Sequence, residues 1–181
     1  MAVVYAFLAD GLEEVECLAT ADVLIRAGVK VKLVSITGKK EVKGAHGFGI
    51  HADTLLHEID PMKADLLFLP GGMPGTLNLG AHAGVTAQVK AFAEAGKLVC
   101  AICAAPSVLG GLGILEGKKA ACYPGFEDKL KGAEVVFDQV VRDGNVTTSR
   151  GMGTAIPFAL DLVSQLVSEE KAQELKTGII Y

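Results

Sequence analysis

No apolar run in this sequence approaches the ~20 residues needed to cross a bilayer, so no membrane-spanning helix is expected. Positive charge is not in excess either, since 17 Lys and Arg stand against 21 Asp and Glu, for a net charge of −4. The basic residues are scattered, which argues against nucleic acid as a partner. Residues 1–5 enter a predicted strand without the positively charged start of a secretory signal, and we expect a cytoplasmic protein.

Motifs for cofactors and metals are also missing. No G-x-G-x-x-G opens the first predicted helix and no G-K-[ST] occurs, so nucleotide cofactors lack their usual phosphate cradle. His46, His51, His57 and His82 show no pairing at metal-ligand spacing, and only the fold can bring one of them to a cysteine. The four cysteines have no framework spacing, which is typical of reduced cytosolic thiols. We expect neither a cofactor nor a metal.

What the sequence does contain is apolar residues in regular blocks. Half of the 181 residues are hydrophobic, and there are no repeats, linkers or low-complexity segments, which predicts one domain over residues 1–181 with a large core. The high apolar fraction also favours an oligomer interface.

Strand and helix patterns alternate along the chain. Helices are predicted over residues 13–27, around Val85, Val89 and Phe92 up to Gly96, over residues 104–109 and 155–166, and from Ser168 onward. Predicted strands cover residues 2–9, 29–36, 64–69, 97–102, 118–122, 135–141 and 146–148; the last two are joined by an Asp143-Gly144 hairpin turn, and residues 37–57 form a small antiparallel excursion. This order predicts an α/β, flavodoxin-like (Rossmann-like) three-layer sandwich with a mostly parallel central sheet, whose sites lie at the carboxyl ends of strands.

Residues 97–106 change pattern at Cys103. They begin as a buried strand, and a helix follows in which Pro106 is tolerated because the first turn needs no N–H donor. A cysteine at this junction lies at the positive end of a helix dipole, which favours thiolate over thiol. Small neighbours, Ala101 and Ala104, suit a nucleophile elbow. Cys103 is therefore a candidate nucleophile with a pKa expected below ~8.5, or else a buried structural cysteine.

The other three cysteines are expected to be inert core residues. Cys17 lies on a helix stripe, Cys100 inside a strand and Cys122 at a strand end, where apolar burial raises the pKa of a thiol. Cys100-x-x-Cys103 has the thioredoxin spacing, but its first cysteine does not open a helix, which argues against a redox pair.

Two further groups are expected near Cys103 at the same sheet edge. Pro70-Gly71-Gly72 ends a strand, and the amides of Gly72 and Ala104 can form an oxyanion hole, although an ordinary turn is the alternative. Glu16 flanks the apolar stripe of the first helix, where a partly buried carboxyl can share a proton with a thiolate. The alternative for Glu16 is that it complements the helix dipole, as first-turn acids commonly do.

Four motifs in order give the whole chain a specific resemblance to the DJ-1/ThiJ/PfpI superfamily, and within it to the DJ-1 and YajL-like branch. They are Glu13-Glu14-Val15-Glu16, Leu69-Pro70-Gly71-Gly72, Ala101-Ile102-Cys103-Ala104-Ala105-Pro106 and Thr148-Ser149-Arg150-Gly151-Met152-Gly153-Thr154. The resemblance implies that Cys103 is an oxidation-sensitive nucleophile, hydrogen-bonded by a protonated Glu16. It also implies that the amides of Gly72 and Ala104 bind anions, with Arg150 and Ser149 beside them.

The sequence departs from the family pattern at three positions. Tyr123 stands where some branch members carry a histidine, and Pro124 keeps it extended, so that its hydroxyl can face a pocket that Gly71 would also border. Protease-like members carry a histidine directly after the nucleophile, and Ala104 in its place argues against peptidase chemistry. Gly44 is the nearest counterpart of a peripheral cysteine in some animal members.

The function that the resemblance implies is cofactor-independent chemistry on reactive dicarbonyls such as methylglyoxal, or on their early adducts with proteins. Such an enzyme is a glyoxalase III or a protein deglycase, and protects against carbonyl and oxidative stress. The alternative is a non-enzymatic redox sensor or holdase chaperone that uses oxidation of Cys103. The resemblance also implies a homodimer, with Glu13 and Arg26 as contacts across its interface. A role in thiamine metabolism has no residue to support it.

Overall fold

Short apolar strands alternate with helices along the whole chain, and the computed structural model describes residues 1–181. The strands are β1 (Val3–Leu8), β2 (Lys30–Ser35), β3 (Glu41–Lys43), β4 (Gly49–His51), β5 (Thr54–Leu55), β6 (Leu66–Leu69), β7 (Leu98–Ile102), β8 (Lys119–Ala120), β9 (Glu134–Val135), β10 (Val140–Asp143) and β11 (Val146–Ser149). The helices are α1 (Glu14–Arg26), α2 (Gly75–Ala81), α3 (Ala83–Glu94), α4 (Pro106–Gly111), α5 (Ala155–Leu166) and α6 (Glu169–Gly178).

Seven strands form the central sheet, in the order β10-β11-β7-β6-β1-β2-β5. All neighbours in it run parallel except β10 and β11, which form the hairpin predicted at Asp143-Gly144. Helices α1, α5 and α6 cover one face, and α2, α3 and α4 cover the other. The prediction of a flavodoxin-like three-layer α/β fold is confirmed. None of the helices has the length and apolar content to cross a membrane.

The two faces of the sheet carry separate hydrophobic cores. Phe7, Leu67 and Ala101 point into one core, whereas their neighbours along the strands, Phe68 and Cys100, point into the other. Because both faces are covered, the central strands are continuous apolar runs rather than alternating patterns. Because β1, β6 and β7 are parallel neighbours, their carboxyl ends meet at one edge of the sheet, where sites are expected in this fold.

Two parts of the predicted strand pattern are wrong. Residues 135–141 do not form one strand, since β9 ends at Val135 and β10 begins at Val140. Residues 118–122 form only the two-residue β8, which pairs with β9 in a separate small sheet. The chain leaves β8 because the buried amide of Ala121 donates to the hydroxyl of Thr148 on β11 (2.9 Å) instead of continuing a ladder.

The predicted helices are mostly confirmed, with two differences. α2 was not predicted, because two glycines, a short length and the lack of a side-chain cap hide it in the sequence. α4 begins at Pro106 rather than Ala104, since Cys103 to Ala105 form a turn. The antiparallel excursion is confirmed as the β3–β4 hairpin, while β5, in the same region, joins the edge of the central sheet.

Candidate active site

Cys103 is the first residue after β7 and has a φ of +64°, a left-handed value that side-chain-bearing residues rarely adopt. Neighbouring segments hold it there from both sides. Its amide donates to the carbonyl of Ser149 (3.0 Å), and its own carbonyl accepts from the amide of Tyr123 (2.8 Å). The predicted nucleophile elbow is therefore present, and it points the thiol out of the end of the sheet.

Glu16 lies against the thiol of Cys103 in hydrogen-bonding contact. It belongs to the first turn of α1 but is only 1% exposed, and its Oε2 accepts from the amide of Gly71 (3.0 Å). Gly71 makes this approach possible, because a Cβ there would lie 2.5 Å from the Cβ of Cys103 and 2.6 Å from Oε2 of Glu16. Of the two interpretations of Glu16, the buried carboxyl beside the cysteine matches this placement.

The surroundings of Glu16 favour its protonated form. The pKa of its carboxyl is raised to about 7, mainly by burial. The hydrogen bond with Cys103 lowers the pKa, the negative charge of Glu13 raises it further, and the hydrogen bond from the Gly71 amide lowers it.

The pKa of Cys103 moves in the opposite direction to the one expected from the helix dipole. Burial raises it to about 12, with further increases from the charge of Glu16 and the hydrogen bond to it, while the amides of Gly72 and Ala104 lower it. The dipole contributes little because α4 has six residues and begins three positions after the cysteine. The prediction of a pKa below that of a free thiol is wrong for this environment.

Cys103 and Glu16 therefore titrate as a unit. The pair gives up its first proton near pH 7 and keeps the second until much higher pH. Between these limits one proton serves both groups, and moving it from sulfur to the carboxyl creates the thiolate without any exchange with solvent. Chemically, this arrangement can supply a nucleophile with an adjacent acid and base.

Two backbone amides point at the sulfur. Gly72, which has a φ of +89°, and Ala104 both donate toward Sγ of Cys103. A Cβ at Gly72 would overlap the amide of Glu13, so the loop after β6 packs directly on the start of α1. The pair of donors can stabilise an oxyanion that forms on an atom bonded to the sulfur.

A cavity of about 660 Å³ opens in front of the thiol. Arg150 lines it, and the Nε atom of this side chain is buried without a hydrogen-bond partner while the guanidinium lies 5.5 Å from the ring of Phe137. Tyr123, half exposed, and Pro124 form another part of the wall. The full lining is Glu13, Glu16, His46, Gly72, Met73, Cys103, Ala104, Tyr123, Pro124, Phe126, Arg150, Gly151, Met152, Gly153 and Thr154.

Ser149, which the resemblance placed beside Arg150, does not line the cavity. It is fully buried, and its hydroxyl is engaged with the carbonyl of Gln139 (2.6 Å) and the hydroxyl of Thr154 (2.7 Å). The contact that it does make with the site is the backbone hydrogen bond to Cys103. Gly71, which was expected to border the pocket, does not line the cavity either. Its amide donates to the carboxyl of Glu16.

The remaining cysteines lie away from the cavity, in the core. Burial raises the pKa of Cys17 to about 12 and that of Cys122 to about 11, and it raises the pKa of Cys100 far above its ordinary value. All three are free thiols. Cys103 is the cysteine that faces the cavity.

His46 is part of the cavity wall, which the sequence did not predict. It lies in the turn between β3 and β4, and the fold brings it to Glu14, 32 positions earlier in the chain. One ligand atom each from Glu13, Glu14 and His46 lie within 4.8 Å of one another, a spacing that could hold a metal ion. Both carboxylate oxygens of Glu14 already accept hydrogen bonds from His46, so we treat the three as a charge cluster.

Comparison with known proteins agrees with this geometry. The sequence pattern described as the DJ-1/PfpI family matches residues 2–165. The chain belongs to this family. It is 39% identical over 175 residues to protein dj-1beta of Drosophila melanogaster, which covers 96% of this chain and 94% of the relative. It is 36% identical to the glutathione-independent glyoxalase DJR-1.2 of Caenorhabditis elegans, which covers 92% and 89% respectively.

A solved structure extends the similarity to the fold. Oxidized DJ-1 of Toxoplasma gondii superposes with a TM-score of 0.96 at 34% sequence identity, and the match covers 100% of this chain and 99% of the other. The resemblance inferred from four motifs is therefore confirmed.

Proposed function

We propose that this DJ-1/PfpI family protein is a cofactor-independent cysteine enzyme that converts reactive dicarbonyls, such as methylglyoxal, into hydroxy acids. The observation that carries the proposal is the contact between Cys103, on its strained elbow, and a buried Glu16 whose carboxyl keeps its proton up to about pH 7. The similarity to a relative named a glutathione-independent glyoxalase supports it.

The first step is addition of sulfur to the aldehyde. The thiolate of Cys103 forms a C–S bond with the aldehyde carbon while the C=O π electrons move to oxygen. The amides of Gly72 and Ala104 stabilise this oxyanion, which takes the proton that Glu16 received from the thiol and becomes a hemithioacetal hydroxyl, leaving Glu16 as a carboxylate.

Glu16 handles the proton in the next step. As a carboxylate it removes the proton from the former aldehyde carbon, and the electron pair moves onto the neighbouring carbonyl to give an enediolate. As an acid it returns that proton to the neighbouring carbon, while the hydroxyl proton of the former aldehyde carbon moves to the neighbouring oxygen. The product is a thioester of the hydroxy acid, which water cleaves to release lactate and the thiol. One carbon is oxidised and its neighbour is reduced by the same two electrons, so the balance requires no external oxidant or reductant.

The test is lactate formation from methylglyoxal by purified protein. Cys103→Ser should remove turnover, and Glu16→Gln, which keeps a hydrogen-bonding group but not proton transfer, should reduce it by ~10²–10⁴-fold. Wild-type rates in Cys103→Ser would rule out the covalent mechanism.

A related reaction uses the same groups on early adducts of dicarbonyls with protein cysteine, lysine or arginine. The cavity of about 660 Å³ leaves room for more than a three-carbon aldehyde. Release of an adduct can also follow from removal of free aldehyde, because that drains the adduct equilibrium. To separate direct deglycation from removal of free aldehyde, the adducts are first freed of aldehyde by gel filtration, and a scavenger then captures any aldehyde that is released. If the protein deglycates adducts directly, it should still accelerate their release under these conditions.

Oxidation sensing is the second candidate function. Peroxide would convert the Cys103 thiolate to sulfenate, releasing water or hydroxide, and a second equivalent would give sulfinate. The amide donors and the Glu16 proton are placed to stabilise the added oxygens. Peptide mapping after brief peroxide exposure should find sulfinate at Cys103 before Cys17, Cys100 or Cys122. Equal oxidation of all four would argue against it.

A further inference from the structure

Glu13, Glu14 and His46 form a charge cluster at the rim of the cavity, which we call the rim cluster. Its central member is Glu14, a buried carboxylate at the start of α1. Glu14 Oε1 accepts from the His46 amide (2.9 Å), and Oε2 lies 3.0 Å from Nδ1 of the His46 ring. The side chain of Glu14 lies directly on Gly44, where any Cβ would overlap the carboxyl. The turn between β3 and β4 is thus fixed to α1 through this contact.

The second carboxylate of the rim cluster connects His46 to the catalytic pair. Oε2 of Glu13 lies 3.6 Å from Nδ1 of His46, and both residues line the cavity together with Glu16 and Cys103. Glu13 is also the outside charge that acts on Glu16, where it favours the protonated carboxyl. A positive His46 opposes that field, because it stands next to the charge that produces it.

We propose that His46 is a positioning residue which, through Glu13, controls how readily Glu16 and Cys103 give up their shared proton. It touches neither the sulfur nor the Glu16 carboxyl, and it acts by compensating the negative charge of Glu13. This inference deepens the function proposed above, but it concerns the thiol itself and is tested without any aldehyde substrate.

The charges around the rim cluster favour such a role. The hydrogen bond with Glu14, followed by the charges of Glu13 and Glu14, raises the pKa of His46 above its ordinary value of 6.5, which favours the positively charged ring. Arg150 lines the same cavity. Lys43 and Asp10, on neighbouring segments, do not line it. Glu16 is influenced by Cys103 and Glu13, and it in turn raises the pKa of the buried Cys17. His46 is faced by both Glu13 and Glu14.

The experiment is the pH dependence of Cys103 alkylation by iodoacetamide at low ionic strength, followed by peptide mapping with EDTA present throughout. Wild type should show a rise in rate with a midpoint near pH 7. His46→Gln leaves Glu13 uncompensated and should move the midpoint up by about half a pH unit. His46→Lys, which keeps a positive charge, should return it to the wild-type value or below.

The Glu13 variant tests the sign of the effect. Glu13→Gln should lower the midpoint, and His46→Gln added to Glu13→Gln should raise it again, because the fields of the two charges add at Glu16. His51→Gln is the matched control, since His51 pairs with Glu41 on the same hairpin away from the cavity, and it should leave the midpoint unchanged.

An equal midpoint in wild type and His46→Gln would overturn the inference, even if the rate falls. A His46→Lys midpoint that stays at the His46→Gln value would also overturn it, because restoring the positive charge would then have no effect. Because alkylation requires no turnover, lack of lactate formation would count against the proposed function and leave this result standing.

Discussion

At the scale of single residues, the site depends on how closely three backbones approach each other. Gly71 lets the carboxyl of Glu16 reach the sulfur of Cys103, and Gly72 brings its amide to the same sulfur. The two groups can share a proton because the Glu16 carboxyl and the Cys103 thiol contact each other directly. The reactivity of Cys103 is thus a property of packing as much as of its own chemistry.

Gly71→Ala tests this packing. The added methyl would lie 2.5 Å from the Cβ of Cys103, too close for either to stay in place, so the carboxyl of Glu16 must move away from the thiol. We expect lactate formation to fall by ~10²-fold or more, as in loss of a general acid–base group, and the rise in alkylation near pH 7 to disappear.

Gly111→Ala in α4 is the control, because no atom lies within 4 Å of a Cβ there. It should keep both activity and the alkylation profile. A Gly71→Ala protein with the wild-type alkylation midpoint would show that the contact is not needed.

The sequence identified the residues of the pair but not the direction of the thiol pKa. Strand and helix patterns placed Cys103 and Glu16 at one edge of the sheet, since the carboxyl ends of parallel strands coincide. Desolvation and the distance between two acids depend on tertiary packing, and these reversed the expected effect of the dipole. His46 had no sequence signal for the same reason, since its partner Glu14 is 32 positions away.

At the scale of elements, the segment that follows β8 matters most for the site. β8 pairs with β9 outside the central sheet, and the next amide, that of Ala121, donates to the hydroxyl of Thr148 on β11 (2.9 Å). Two residues later, the Tyr123 amide donates to Cys103. The sequence pattern predicted where the strands lie, but it could not show that the Thr148 side chain takes the place of a strand-to-strand hydrogen bond at Ala121. Residues 118–122 were therefore predicted as a single strand.

Thr148→Val removes this link while keeping the side-chain shape. The buried Ala121 amide would lose its acceptor, which should lower the free energy of unfolding by about 1–3 kcal/mol. Because the segment leads to Tyr123, the elbow should loosen too, and we expect slower alkylation of Cys103 at pH 7.5. Urea denaturation and alkylation rates measure the two effects.

Thr147→Val is the matched control one position earlier on β11. Thr147 faces the other side of the sheet and accepts from the side chain of Gln165 (2.9 Å). This variant should lose stability without changing alkylation. Equal slowing in both variants would mean that general destabilisation, and not the link to Tyr123, explains the effect.

At the scale of the whole molecule, the pair of Glu16 and Cys103 makes stability depend on pH. The pKa of Glu16 is about 7 in the folded protein against 4.5 as its ordinary value. A raised folded-state pKa stabilises the protein fully below pH 4.5, and this contribution is lost as the pH rises through about 7. At about 1.4 kcal/mol per pKa unit, the loss is on the order of 3 kcal/mol.

Glu16→Gln cannot lose a proton and should not show this decline. The free energy of unfolding of the variant, relative to wild type, should therefore increase by about 2–3 kcal/mol between pH 5 and pH 8. Urea denaturation at both pH values measures it, and the contribution of His46 cancels because both proteins contain it. A difference that stays constant with pH would contradict the raised pKa of Glu16.

The outer face of α1 leads to the last prediction, which concerns assembly. Val15, Leu18 and Ile25 lie on one side of this helix and are each between 43% and 58% exposed. Arg26, expected at a dimer contact, pairs with Asp22 on the same face (2.6 Å), whereas Glu13, the other expected contact, points into the cavity rim. Such a row of apolar side chains on a helix is suited to a second copy of the chain.

Light scattering at micromolar concentration should therefore give twice the 18.8 kDa mass of the chain. Leu18→Glu should reduce it to a single chain, because it introduces a charge into the contact without touching the core. Leu77→Glu, at a more exposed leucine on α2, should keep the doubled mass. A wild-type mass near 18.8 kDa would show that α1 does not mediate a dimer.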